Sequence, residues 1–130
     1  MDKTTNSLNW FEVPAQDIVR AKKFYETIFS ISMMDMPEMM SMKMAGFPAE
    51  MGSSKANGAL AQSPMHKPSM EGVIIYLNAN PDIDAVISRI EAAGGKILMP
   101  KMMISKDIGS MAFFADTEGN KIGLHAGPVQ

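Results

Sequence analysis

One order of elements occurs twice along this chain, and that repetition restricts the fold more than any single motif does. Leu8-Asn9-Trp10-Phe11-Glu12-Val13 is aromatic and β-branched, as a strand should be, and Pro14 stops it. Asp17 then offers an N-cap. Ala21, Phe24, Tyr25 and Ile28 follow at i, i+3, i+4 and i+7, one stripe of an amphipathic helix, with Lys22, Lys23, Glu26 and Thr27 on the wet side. The second half returns to the same order. Val73-Ile74-Ile75-Tyr76-Leu77 reads as a continuous apolar strand. Asn80 can cap a helix opened by Pro81, and Ile83, Val86, Ile87 and Ile90 repeat the stripe. Gly94-Gly95 supplies the left-handed stop.

Short extended segments follow each helix. In the second half they span 96–99, 110–115 and 121–125, the last two separated by the turn Asp116-Thr117-Glu118-Gly119-Asn120. In the first half they span about 32–36, 41–46 and 58–62. Ser63-Pro64-Met65-His66-Lys67-Pro68-Ser69 reads as a linker. The pattern predicts an α+β fold of two tandem βαβββ modules, about residues 8–64 and 70–127, within a single domain over 1–130. One helix covers only one face of a four-stranded sheet. The two mixed sheets are therefore expected to form a half-open barrel around a central cavity, the natural seat for a ligand.

Composition removes several function classes. A net charge of -2 with scattered Lys and Arg leaves no basic footprint, so no nucleic-acid partner is expected. The absence of cysteine removes disulfides, thiolate nucleophiles and Cys-based zinc sites. No apolar run approaches the roughly 18–20 residues that cross a bilayer, and the polar N-terminus lacks a secretory apolar stretch. The expectation is a cytoplasmic chain with no membrane partner.

Three stretches carry a resemblance. Asn9-Trp10-Phe11-Glu12-Val13-Pro14 with Asp17-Ile18-Val19-Arg20-Ala21-Lys22-Lys23-Phe24-Tyr25-Glu26 resembles the first strand and helix of small vicinal-oxygen-chelate proteins, the glyoxalase I, bleomycin-resistance and extradiol dioxygenase superfamily. Ala92-Ala93-Gly94-Gly95-Lys96-Ile97 resembles the end of their second helix, and Phe113 to Ile122 their last hairpin. The resemblance covers nearly the whole chain and implies the βαβββ pair, small-molecule binding and a homodimer. It places the superfamily's metal ligands near Trp10, Leu60, Ile74 and Gly123, none of which offers a side-chain donor. The expectation is therefore no metal and no cofactor.

Residues two along from those positions share their strand faces. They are Glu12, Gln62, Tyr76 and His125. His125 and Glu12 are the candidate catalytic acid/base pair, since an imidazole titrates near neutrality and a half-buried carboxylate moves upward. Tyr76 and Gln62 are candidates to orient a carbonyl or hydroxyl. Trp10 and Phe11 complete the candidate ligand-binding set. The plain readings stand beside these: a terminal strand histidine, a rim carboxylate, a strand tyrosine and a core tryptophan. His66, flanked by prolines, is expected to be solvated and uninvolved.

Of the 15 methionines, eight lie between Met33 and Met51. Met34, Met36, Met40, Met42 and Met44 partly alternate. Adaptable cavity lining or core is the leading account; thioether copper(I) binding and a dimer contact are the others. The expected function is metal-free binding of a small, partly apolar ligand. The alternatives are a lyase or isomerase acting on a small oxygenated metabolite through Glu12 and His125, and a metal enzyme with a displaced site.

Overall fold

A computed structural model describes residues 1–128. The first module comprises β1 (Trp10–Pro14), α1 (Ile18–Phe29), β2 (Met34–Asp35), β3 (Lys43–Gly46) and β4 (Asn57–Gln62). The second comprises β5 (Tyr76–Asn78), α2 (Ile83–Ile90), β6 (Lys96–Ser105), β7 (Gly109–Ala115) and β8 (Lys121–Ala126). Each is a four-stranded mixed sheet, in the orders β1-β4-β3-β2 and β5-β8-β7-β6, and neither sheet closes into a barrel. The strand before each helix runs parallel to the last strand of its module, and the remaining pairs are antiparallel. This is the α+β fold of two βαβββ modules that the repeat predicts.

The helices form where the 3.6-residue period places them. Asp17 caps α1 by accepting from the Val19 and Arg20 amides, and the expected stripe Ala21, Phe24, Tyr25 and Ile28 is buried. Asp82, not Asn80, caps α2. Its carboxylate accepts from Asp84 and Ala85, whereas the Asn80 side chain turns to Asn78 and to the Gly127 amide. Pro81 thus precedes the helix instead of opening it. Gly94 adopts the left-handed φ of 107° expected after a helix end.

Strand ends differ more. β2 is short: its ladder with β3 ends at Asp35, the Met36 amide still donates to the Met44 carbonyl at 3.2 Å, and Pro37 beyond it has no amide to donate. β6 runs to Ser105, past Pro100; it is an edge strand, where a missing amide is tolerated. β5 begins at Tyr76, although the Ile75 carbonyl still accepts from Gly123 at 2.9 Å.

One hydrophobic cluster runs through both modules, from Val13, Phe24, Tyr25 and Leu60 to Leu77, Ile90, Phe114 and Leu124. The β7–β8 turn locks them together. Asp116 Oδ1 accepts from the amides of Glu118, Gly119 and Asn120, which fixes the turn. Glu118 then reaches the start of α1 and accepts from the Gln16 and Asp17 amides, both at 2.7 Å, and from Arg20. Asn120 donates to the Pro14 carbonyl, and Tyr25 donates to Asp116 at 2.7 Å.

Candidate functional site

Strand register decides which side chains face the helices and which face away. Val13 pairs with Leu60, and Leu77 with Leu124; all four lie in the core beneath the helices. Their neighbours therefore take the opposite face. On the first sheet these are Trp10, Glu12, Ala59, Ala61, Met44 and Gly46; on the second they are Tyr76, Asn78, Gly123, His125, Met111 and Phe113.

Four expectations change in the light of this register. Leu60 sits in the core, so Ala59 occupies the open face where Leu60 was expected. Gln62 shares the side of Leu60. Its Oε1 accepts from the Ile18 amide at 2.8 Å and so helps to cap α1 instead of facing the ligand side. Phe11 packs against Phe47 with ring centroids 5.6 Å apart, on the opposite face from Trp10, where it lines an open cavity of about 720 Å³ together with Tyr76. His66 is not a solvated bystander: its side chain is only 12% exposed and is bonded on both nitrogens.

The first open face carries a hydrogen-bonded chain. Trp10 Nε1 donates to Glu12 Oε2 at 3.2 Å, and His66 Nε2 lies 2.8 Å from Glu12 Oε1. Ser63 Oγ lies 2.6 Å from His66 Nδ1. Contact with the His66 imidazole, helped by the Trp10 indole, holds the Glu12 carboxyl below its ordinary range and overcomes the opposing effect of burial. This reverses the upward shift expected from burial alone. An ionised Glu12 only accepts, so His66 carries a proton on Nε2; in the neutral ring Nδ1 is then a lone pair facing the Ser63 hydroxyl. Beside the chain, Met44, Ala59 and Ala61 form a small apolar cluster with Met36 and Met42 against it. Part of the methionine group thus lines this face, as the leading account predicts, while Met33 joins the main core and Met40 and Met51 are exposed.

The second face carries a separate set. A cavity of about 530 Å³ is lined by Tyr76, Asn78, Ile104, Met111 and His125, with no first-module residue in its wall. His125 Nε2 donates to the Ile108 carbonyl at 2.8 Å. No hydrogen bond joins His125 to Glu12 among the described residues, so the chain does not pair the two as an acid and a base. Glu12 has His66 instead. No sequence period singles out His66, because a linker has none; its only signal was the Ser-Pro-x-His turn.

The family model for the Glyoxalase/Bleomycin resistance protein/Dioxygenase superfamily matches residues 7–124. The chain belongs to this superfamily. It is 31% identical over 119 residues to CFP32 of Mycobacterium bovis, a protein carrying a glyoxylase name, covering 89% of this chain and 44% of that protein. It is 26% identical over 122 residues to the anthracycline biosynthesis protein DnrV of Streptomyces peucetius, covering 85% and 43%. The chain therefore spans less than half the length of these two curated relatives. Its fold matches TnmS3, an antibiotic binding protein from Streptomyces sp. CB03234, with a TM-score of 0.62 at 24% identity over 97% of this chain and 99% of that one.

The superfamily's divalent metal can be tested against the donors present. The positions to which the resemblance points hold an indole, two aliphatic chains (Leu60 and Ile74) and a glycine, and Ala59, which takes the open face in place of Leu60, offers only a methyl group. None is a ligand type for zinc, iron or nickel. Among the described residues no three His, Asp or Glu side chains converge as a metal-holding group. At Gly123 the space itself is taken: a Cβ there would lie 2.6 Å from Tyr76 Cδ1, because the tyrosine ring lies over the glycine. The donor set does not fit the metal.

Proposed function

We infer that this chain binds a small, partly apolar ligand against the open faces of its sheets and does so without a divalent metal. The observation that carries this reading is the absence of donor side chains at Trp10, Leu60, Ile74 and Gly123 and at the open-face Ala59, with Trp10 44% exposed on the sheet face that also carries the Met44 cluster. A flat exposed ring on a sheet face that also carries thioethers suits an aromatic or polycyclic ligand better than a chelating one. The names of TnmS3, an antibiotic binding protein, and DnrV, an anthracycline biosynthesis protein, are compatible with that ligand class. Residues 8–64 and 70–127 are read as two modules of one cytoplasmic domain, and a second copy of the chain is the partner expected to cover the open faces.

Trp10 is the sole tryptophan, which makes the test direct. A planar polycyclic ligand titrated into the metal-free protein should quench or shift its fluorescence saturably, and Trp10→Ala should weaken binding measured by calorimetry. Elemental analysis after purification without chelators should find no stoichiometric metal. Absence of saturable binding by any aromatic ligand, or one metal ion per chain, would overturn the reading.

The acid/base alternative has two forms. Within one chain His125 lies on the other sheet, so a lyase or isomerase reading rests there on Glu12 with His66; the Glu12 and His125 pair requires a second copy of the chain.

A further inference from the structure

Ser63, His66 and Glu12 form a hydroxyl–imidazole–carboxylate series, with spacings of 2.6 Å and 2.8 Å. Two parts of the chain build it. Ser63-Pro64-Met65-His66 is a β-turn in which the His66 amide donates to the Ser63 carbonyl at 3.1 Å, with proline at its second position. The turn alone brings hydroxyl and ring together. It has no need of Glu12, which lies 54 residues away in sequence on β1 and takes the other ring nitrogen. The added carboxylate fixes the tautomer that leaves Nδ1 free to accept the Ser63 proton. The Met65 amide also donates to Ser63 Oγ at 3.1 Å, an interaction that strengthens as the oxygen gains negative charge. Pro64 and Met65 are exposed and Ser63 itself is only half-buried, and the series runs from this turn through His66 to Glu12, which Trp10 also contacts.

We propose that Ser63 is a nucleophile, activated by His66 and Glu12, toward acyl esters that carry an apolar or aromatic group. In the first step Ser63 Oγ bonds to the acyl carbon and its proton passes to His66 Nδ1. Glu12 steadies the resulting imidazolium. The bond from the acyl carbon to the leaving oxygen then breaks, and that oxygen takes the proton from His66. Water, deprotonated by the same ring, cleaves the acyl-serine and returns the carboxylic acid and the free hydroxyl. The balance is ester plus water giving acid plus alcohol, with no oxidant or further reactant.

The proposal rests on the ligand-binding reading only for where the apolar group sits. The two fail separately, because Trp10 fluorescence reports binding and labelling reports Ser63. Incubation with a fluorophosphonate should add one phosphonyl group at Ser63, located by mass spectrometry, and p-nitrophenyl butyrate should be hydrolysed. Ser63→Ala should abolish the label and lower hydrolysis by about a hundredfold, and His66→Gln should slow both about as much. Ser63→Cys gives a second measurement that needs no substrate, since the chain has no other cysteine. Its alkylation should titrate at least a full unit below the ~8.5 of a free thiol, and the His66→Gln background should restore the free value. Labelling elsewhere, hydrolysis unchanged in Ser63→Ala, or an ordinary thiol titration indifferent to His66 would overturn the proposal.

Discussion

At Glu118 a carboxylate whose side chain is 0% exposed accepts hydrogen bonds from the Gln16 and Asp17 amides, Thr117 and Arg20. Burial alone would raise its pKa, but these bonds, with Arg20 foremost, hold it below the usual range. A group whose folded pKa is depressed adds stability above its unfolded pKa, and that contribution is lost as pH falls through the folded value. Glu118→Gln is therefore expected to cost about 1.5–3 kcal/mol at neutral pH, the scale of hydrogen bonds to a charged group. In urea titrations the gap from the parent protein should narrow in acid, and a gap independent of pH would contradict the role given to its charge. Glu12 obeys the same sign. Its pKa is lowered by His66, so the Trp10–Glu12–His66 chain should persist at neutral pH and open only below the ordinary carboxylate range. Trp10 fluorescence should show that acid step, and Glu12→Gln should remove it. Glu12 was legible from its strand position, but neither Glu118 nor His66 could be placed from the sequence. Glu118 read as part of a turn, and its partner Gln16 lies 102 residues away; His66 read as linker, and its partner is on β1.

Among the elements, the helices were legible because a stripe at 3.6-residue spacing is a local signal, read without knowing any neighbour. Asp17→Ala should accordingly cost about 1 kcal/mol, the usual loss of an N-cap, measured as a shifted denaturation midpoint with unchanged slope. The strands of the first module were less legible. Gly58-Ala59-Leu60-Ala61 is buried on both faces and has no polar alternation, so nothing in the run says which side Leu60 takes; only its pairing with Val13 does. That one-residue ambiguity put Leu60 and Gln62 on the ligand side in the sequence reading. The second module was clearer, since the Asp-x-x-Gly-Asn turn fixes Gly123 and His125 on β8. There the close approach is specific: Tyr76 lies over Gly123 and is 5.8 Å from Phe113. Gly123→Ala should push the ring off, weaken the β5–β8 pairing and lower stability by about 1–3 kcal/mol, the range for overpacking. A variant as stable as the parent would show that the ring moves freely.

For the whole molecule, the consequence of two helix-covered sheets is two uncovered ones. Each module buries one face in the shared core, and the opposite faces leave Trp10 44%, Tyr76 49%, Met34 52% and Met102 49% exposed. Apolar side chains so placed on open sheets mark an interaction surface more often than a solvated one. The repeat made two modules legible in the sequence, but not which faces meet, because the pairing of preformed sheets depends on surfaces far apart in the chain. Within one chain the acid/base candidates fall on different sheets. If a second copy brings its second sheet over the first sheet of its partner, Tyr76 and His125 would close over Trp10 and Glu12. Sedimentation at micromolar concentration should then show a dimer. Met111→Asp, a charge placed on the second open face beside His125, should shift it to monomer while circular dichroism stays unchanged. If closure is also what completes the ligand site, the same variant should lose ligand-induced change at Trp10, although the substitution lies on the other sheet. A monomeric parent, or a monomeric variant that still binds at full strength, would separate the binding site from assembly.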